Sequence, residues 1–140
     1  MSIPVQSIEG SLRNVRMVYG ALLFSIVLYI VAAEMVGDRV PHDIHVTWLA
    51  FLACCCPLIV VAIMVRAKMV KPAAEILQAQ PNDSAALGRW RTGITTSLVL
   101  TEAIALCGLA ARFLGGTLLQ ATPFYAVAIA LMLLWWPRRP

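Results

Sequence analysis

Four stretches of this chain run apolar for close to twenty residues each, at 17–36, 44–65, 92–111 and 118–136, and polar residues gather between them. An α-helix rises ~1.5 Å per residue, so about twenty apolar residues cover the ~30 Å hydrocarbon layer of a bilayer. The pattern predicts an all-α membrane protein, a four-transmembrane-helix bundle forming a single domain over residues 1–140. Turn signals mark the breaks. Gly37, Asp38 and Pro41 end the first helix, and Pro81, Asn82, Asp83 and Ser84 form a turn before the third. Ser11 is a candidate cap for the first helix, and Ser84 for a segment leading into the third. Thr122 and Pro123 read as the cap and first residue of the fourth helix, which would make that helix short. Residues 66–91 form the one sizeable aqueous loop. Within it, the stretch from Pro72 either extends the second helix after a kink or starts a short interfacial helix.

Composition agrees with the pattern. The 140 residues are 61% hydrophobic and 13% charged, with mean hydropathy +0.83, against about 45–50% and about 25% in soluble domains. The net charge is +4, and its placement sets the orientation. Of the 11 lysines and arginines, all but Arg39 and Arg112 fall before the first span, in loop 66–91 or after the fourth span. The positive-inside rule then puts both termini and that loop on the cytoplasmic side. Topology and headgroup contact account for these charges, leaving no nucleic-acid footprint. Arg13, Arg16 and the apolar run through Val31, Ala32 and Ala33 imitate a secretory signal, but the stretch is read as a retained membrane helix.

One residue changes the picture. Glu102 lies inside the third span, where a carboxylate is costly and usually meets a partner, water or a proton path. Arg91 and Arg112 bracket it, so it sits ~15 Å from either helix end, near mid-membrane. No basic residue occupies the interior of a span, and the acid is expected to rest neutral and to lose its proton on meeting a cation or water. Thr101 is a candidate to orient it or to reach a neighbouring helix. The alternative is a protonated glutamate that bonds across a helix interface purely for assembly. Glu34 and Arg112 fall at the outer ends of the first and third helices, where they pair if those helices are neighbours and otherwise snorkel separately.

Other side chains point to packing. Cys54, Cys55 and Cys56 face three directions around a helix, which suits neither a metal site nor a disulfide, and with Cys107 they read as small packing residues. His42 and His45 flank the second helix, and with no histidine deep in a span a haem within the monomer is not expected. Trp48, Tyr125, Trp135 and Trp136 sit near span ends as an aromatic belt. Gly20, Ala21, Gly93, Gly108 and Ala111 offer surfaces for close helix contact.

A faint internal repeat at an offset of 78 lays Arg13 over Arg91, Leu28 over Leu106, Glu34 over Arg112 and Ala50 over Ala128. It is equally explained by shared membrane composition. Residues 44–113 also carry Gln80-Pro81 in the polar loop, Glu102-Ala103 in the following helix, and then Cys107-Gly108-Leu109. This segment resembles the proteolipid c subunit of rotary ATP synthases, with cysteine where that family has tyrosine. The resemblance implies a helical hairpin, an ion-binding carboxylate at Glu102 and assembly into a ring. The second helix lacks the family's glycine repeat, however, and the first and fourth helices have no counterpart in a two-helix subunit.

The expected function is a membrane subunit that handles protons through Glu102. Two alternatives stand beside it: a non-catalytic subunit of a larger respiratory or photosynthetic complex, and a small dimeric transporter. No catalytic triad, nucleotide loop or zinc motif is present, so enzymatic activity of the chain itself is not expected. No cofactor is expected, with bound lipid, quinone or pigment left open. Membrane lipids, further copies of the chain or other membrane subunits are the expected partners.

Overall fold

The computed structural model describes residues 8–36 and 45–137. Residues 37–44, with Arg39 and His42, and Arg138 and Arg139 lie outside these residues. Five helices follow in order: α1 (Ile8–Val36), α2 (His45–Val65), α3 (Lys71–Ala79), α4 (Ser84–Phe113) and α5 (Leu118–Leu134). A π-helical turn, Arg66–Val70, joins α2 to α3.

Three helical stretches, Glu9–Met35, His45–Ala79 and Ser84–Phe113, are long and apolar enough to cross a membrane. The protein is an integral membrane protein built as a helix bundle. α5 is apolar too, but its 17 residues span only ~25 Å.

The helices extend further than the apolar pattern indicated. α1 starts well before residue 17, and Ser11 lies inside it, buried, instead of capping it. The segment read as an aqueous loop, 66–91, is almost wholly helical, because polar residues with good helical propensity continue both flanking spans. Pro72 explains the π turn. It has no N–H to give to the carbonyl four residues back and its ring crowds that carbonyl, and the Lys71 N–H bonds to Arg66 O instead of the next carbonyl. The cap of α4 is Asp83, whose carboxylate accepts from Ala85 N and Ala86 N at 2.8 and 3.0 Å, not Ser84. The cap of α5 is Thr117, in a reciprocal box with Gln120. Pro123 therefore falls inside α5, and the Thr122 hydroxyl donates to Leu118 O at 2.8 Å.

α4 is the centre. Of its most apolar stretch 44% is buried, against 17% in α1 and 11% in 45–79, because α1, α2 and α5 all pack on it. α1 contributes Leu12, Val15, Tyr19, Ile26 and Ala33, a stripe at helical spacing. Glycines allow the closest approaches. A Cβ at Gly93 would meet Val70 Cγ2 at 2.8 Å, and one at Gly108 would meet Phe124 Cβ at 3.0 Å. α4 ends in a Schellman turn: Gly116 N bonds to Ala111 O at 3.0 Å, Gly115 N to Arg112 O at 3.2 Å, and Gly115 has φ 90°.

α1 and α4 run parallel, since Ser25 lies beside Glu102 and Glu34 beside Arg112. The second separation, 78 residues, equals the offset of the faint repeat, and the first, 77, is one short of it. One end of the bundle carries Arg13, Arg16, Arg66, Lys68, Lys71, Arg89 and Arg91; Arg112 is at the other.

Candidate functional site

Glu102 sits on the seam between α4 and α1, partly buried. Two hydroxyls from consecutive turns of α1 converge on one of its oxygens. Tyr29 OH donates to Oε1 at 2.8 Å, and Ser25 Oγ donates to the same atom. Ser25 and Tyr29 are four residues apart, so they lie one above the other on the α1 face turned toward α4. Ile26, next to Ser25 in α1, is fully buried.

Ser25 has a second acceptor. Its hydroxyl also reaches Leu22 O, one turn back in its own helix, at 2.8 Å. A serine hydroxyl carries one proton and two lone pairs, so it can give that proton to either acceptor and accept on the vacated side. Tyrosine has the same dual capacity. The carboxyl and two hydroxyls thus form a short chain of groups that each accept and donate.

Thr101 is not part of this chain. It is fully buried, and its hydroxyl donates to Ser97 O at 2.9 Å within α4. Such a bond back to the preceding turn satisfies the hydroxyl locally. Ser25 and Tyr29 went unnoticed in the sequence because single hydroxyls in an apolar helix carry no pattern of their own. One signal was available: the offset of 78 that pairs Glu34 with Arg112 carries Glu102 onto Phe24, next to Ser25.

Glu34 and Arg112 are brought together. Arg112 Nε lies 3.4 Å from Glu34 Oε1, and Arg112 Nη1 donates to Gly116 O at 2.9 Å. The Schellman turn thus anchors the guanidinium that meets α1.

A second arginine enters the bundle from the basic end. Arg66, at the start of the π turn, donates to the buried Ser97 Oγ at 3.2 Å and stacks over the Trp135 ring at 5.0 Å. Placed at a span edge by its sequence, it lies within a continuous helical stretch and ties α2 to α4 and to the end of α5.

Between α1 and the N-terminal half of α4 lies a cavity of about 890 Å³. Ser11, Asn14 and Val18 line it from α1, and Arg91, Thr92 and Thr95 from α4. Thr95 is two turns before Glu102 on the same face of α4, ~10 Å along the axis. The cavity and the Glu102 site therefore share one seam.

The remaining candidates have other places. All four cysteines are free, with Cys55 buried and Cys54 and Cys56 exposed. His45 is exposed. Trp48 Nε1 donates to Gln120 O at 2.9 Å, and Trp136 meets Tyr19 edge to face at 4.9 Å. Tyr125 is no belt residue: it is 4% exposed and packs where α4 and α5 meet at Gly108. Gly93, Gly108 and Ala111 serve contacts within the chain, whereas Gly20 and Ala21 face outward.

No protein-family model, curated protein or solved structure matches this chain.

Proposed function

We propose that the protein is a multi-pass membrane subunit that handles protons through Glu102, with Ser25 and Tyr29 as exchange partners. The observation that carries this reading is the Ser25 hydroxyl, one proton within reach of both Leu22 O and Glu102 Oε1. With Glu102 anionic, that proton points at the carboxylate. With Glu102 protonated, it turns to Leu22 O, and Ser25 accepts the carboxyl proton. Oε1 keeps hydroxyl partners in both states, which suits a reversible carrier better than a permanent clamp.

Access supports the same reading. The cavity, with Arg91, Thr92 and Thr95 in its lining, opens the seam from the basic end to within two turns of the acid. The basic residues there favour a cytoplasmic assignment for that end and for both termini. The resemblance of 44–113 to proteolipid c subunits agrees with an ion-binding carboxylate after a polar turn, although here its hydroxyl partners come from α1, which that hairpin lacks.

The test is proton flux into liposomes containing the purified protein, followed with an internal pH-sensitive dye. Wild-type protein is expected to dissipate an imposed pH gradient faster than empty liposomes. Glu102→Gln, which keeps the hydrogen-bonding shape, is expected to abolish the difference. A carbodiimide is expected to label Glu102, with the adduct located by mass spectrometry. Equal flux for Glu102→Gln and wild type would overturn the proposal.

A second reading rests on α2, which exposes Leu49, Val60, Val61, Ile63 and Met64 along its length. Such a surface suits packing against other subunits of an energy-converting complex, with the Glu102 cluster holding α1 to α4. Co-purification separates the two: stoichiometric foreign membrane subunits, with Glu102→Gln fully functional in their complex, would favour this second role.

A further inference from the structure

Two cysteines from different helices meet inside the bundle. The stretch from α2 through the π turn runs antiparallel to α4, and two contacts near the basic end fix the register. Arg66 Nη1 donates to Ser97 Oγ, and Val70 Cγ2 stands 2.8 Å from where a Cβ on Gly93 would lie. Val70 to Arg66 and Gly93 to Ser97 are equal steps in opposite directions, so both contacts describe one register. Continued by equal steps toward the other end, that register brings Cys55 level with Gly108, beside Cys107. The side chains meet there. Cys55 belongs to the buried core, Cys107 packs against that core, and the two thiols interact directly. Cys55 is 5% exposed, whereas Cys107 keeps partial access to the bundle surface. Cys54 and Cys56 are exposed on other sides of α2 and take no part. Three cysteines in a row offer no disulfide among themselves, but the middle one has its counterpart on α4.

We propose that Cys55 and Cys107 form a reversible disulfide that clamps α2 to α4, with a lipid-soluble organic hydroperoxide as the oxidant. Cys107 lies five residues beyond Glu102, ~7.5 Å along α4 and still within the apolar span, so the oxidant has to be uncharged and apolar. Cys107, the more accessible thiol, attacks the peroxide. Its sulfur takes one oxygen and becomes a sulfenic acid, the O–O bond breaks, and the rest of the peroxide leaves as an alcohol. The Cys55 sulfur then attacks the sulfenic sulfur, the S–S bond forms, and the oxygen leaves as water with the last proton. Together the two thiols give up two electrons and two protons, and the hydroperoxide ends as alcohol and water. Exchange with a reducing thiol restores both cysteines. The clamp falls where it has most to hold: α2 belongs to the least buried span and packs mainly on α4, and Pro57 interrupts its hydrogen-bond ladder two residues after Cys55. None of this depends on proton handling by Glu102.

The experiment treats full-length protein in lipid nanodiscs with cumene hydroperoxide, blocks the remaining thiols with N-ethylmaleimide, then unfolds and digests the protein with trypsin. Cleavage after Arg39, Arg66, Arg91 and Arg112 leaves Cys55 and Cys107 on separate peptides, 40–66 and 92–112. These peptides are expected to stay joined in digests of the monomer until dithiothreitol is added. Cys55→Ser and Cys107→Ser should each abolish the joined species, whereas the Cys54→Ser, Cys56→Ser double variant and Glu102→Gln should retain it. Oxidised wild-type protein should unfold at a higher temperature than the reduced form, because the link constrains the unfolded chain, and Cys107→Ser should show no such shift. Absence of the joined peptides from wild-type monomer, or their persistence in Cys55→Ser, would overturn the proposal. Should either single variant not fold, the Cys54→Ser, Cys56→Ser protein decides. It carries the facing pair alone, and failure to cross-link there rejects the site.

Discussion

Tyr29→Phe removes one hydroxyl from the Glu102 site and leaves the ring in place. The bond lost is 2.8 Å long. Side-chain hydrogen bonds between membrane helices average ~0.6 kcal/mol and reach ~1.7, while bonds to a charged group run ~1.5–3 kcal/mol. Two features moderate the value. Glu102 is only partly buried, and Ser25 donates to the same oxygen, so one donor remains after the substitution. Tyr29→Phe is therefore expected to cost about 1 kcal/mol, and Ser25→Ala a similar amount. The double variant should cost more than the sum, because each donor partly covers for the other. Reversible unfolding in mixed detergent and SDS micelles measures these differences, and about 1 kcal/mol is a ~5-fold change in the folding equilibrium. The decisive control is Tyr29→Phe in a Glu102→Ala background, where the cost should fall to no more than ~0.3 kcal/mol, the scatter of additive sites. An equal cost in both backgrounds would mean that the hydroxyl does not act on the carboxyl, and the account of the site would be wrong.

Gly108→Ala places a methyl 3.0 Å from Phe124 Cβ and 3.2 Å from Ala121 O, and should destabilise by about 1–3 kcal/mol; Gly20→Ala, which meets nothing within 4 Å, should be neutral or slightly stabilising in the same unfolding assay. Gly115→Ala forces an ordinary side chain onto φ 90° and is expected to cost about 1–2 kcal/mol. Glu34→Gln should cost less than Arg112→Gln, because Arg112 also holds Gly116 O, and the Glu34→Arg, Arg112→Glu swap should restore only part of the loss. Full restoration would show that the Gly116 bond contributes nothing. Ser25→Ala should slow proton flux more than it lowers stability, whereas flux at the wild-type rate would remove Ser25 from the exchange chain.

The lipid-embedded parts of this fold were legible because apolar runs of that length have few alternatives. Boundaries were less so. Polar stretches such as 8–16 and 84–91 belong to helices whose apolar parts begin later, and hydropathy alone does not distinguish a helical extension from a loop. The turn was expected over residues 81–84 and falls at 80–83, because Asp83 rather than Ser84 caps; both are good caps and only backbone geometry chooses. Pro123 misled for a related reason: proline favours the first turn of a helix, and Thr122-Pro123 imitates a start that Thr117 and Gln120 make one turn earlier. At the site, Glu102 was conspicuous as an acid in an apolar run. Ser25 and Tyr29 were not, because they become partners only through the parallel packing of α1 on α4, which is a tertiary fact. Thr101 was favoured by sequence proximity, but neighbours in sequence point to different sides of a helix.

The order of the groups along the chain bears on biosynthesis. A ribosome delivers Ser25 and Tyr29 well before Glu102, so both hydroxyls have entered the membrane with α1 when α4 emerges. The acid can then leave the translocon directly against waiting donors, without first dissolving alone in lipid. A version with the two halves permuted, α4 and α5 made first, would have to insert the same glutamate unaccompanied. Its yield in the membrane should be lower for that reason alone.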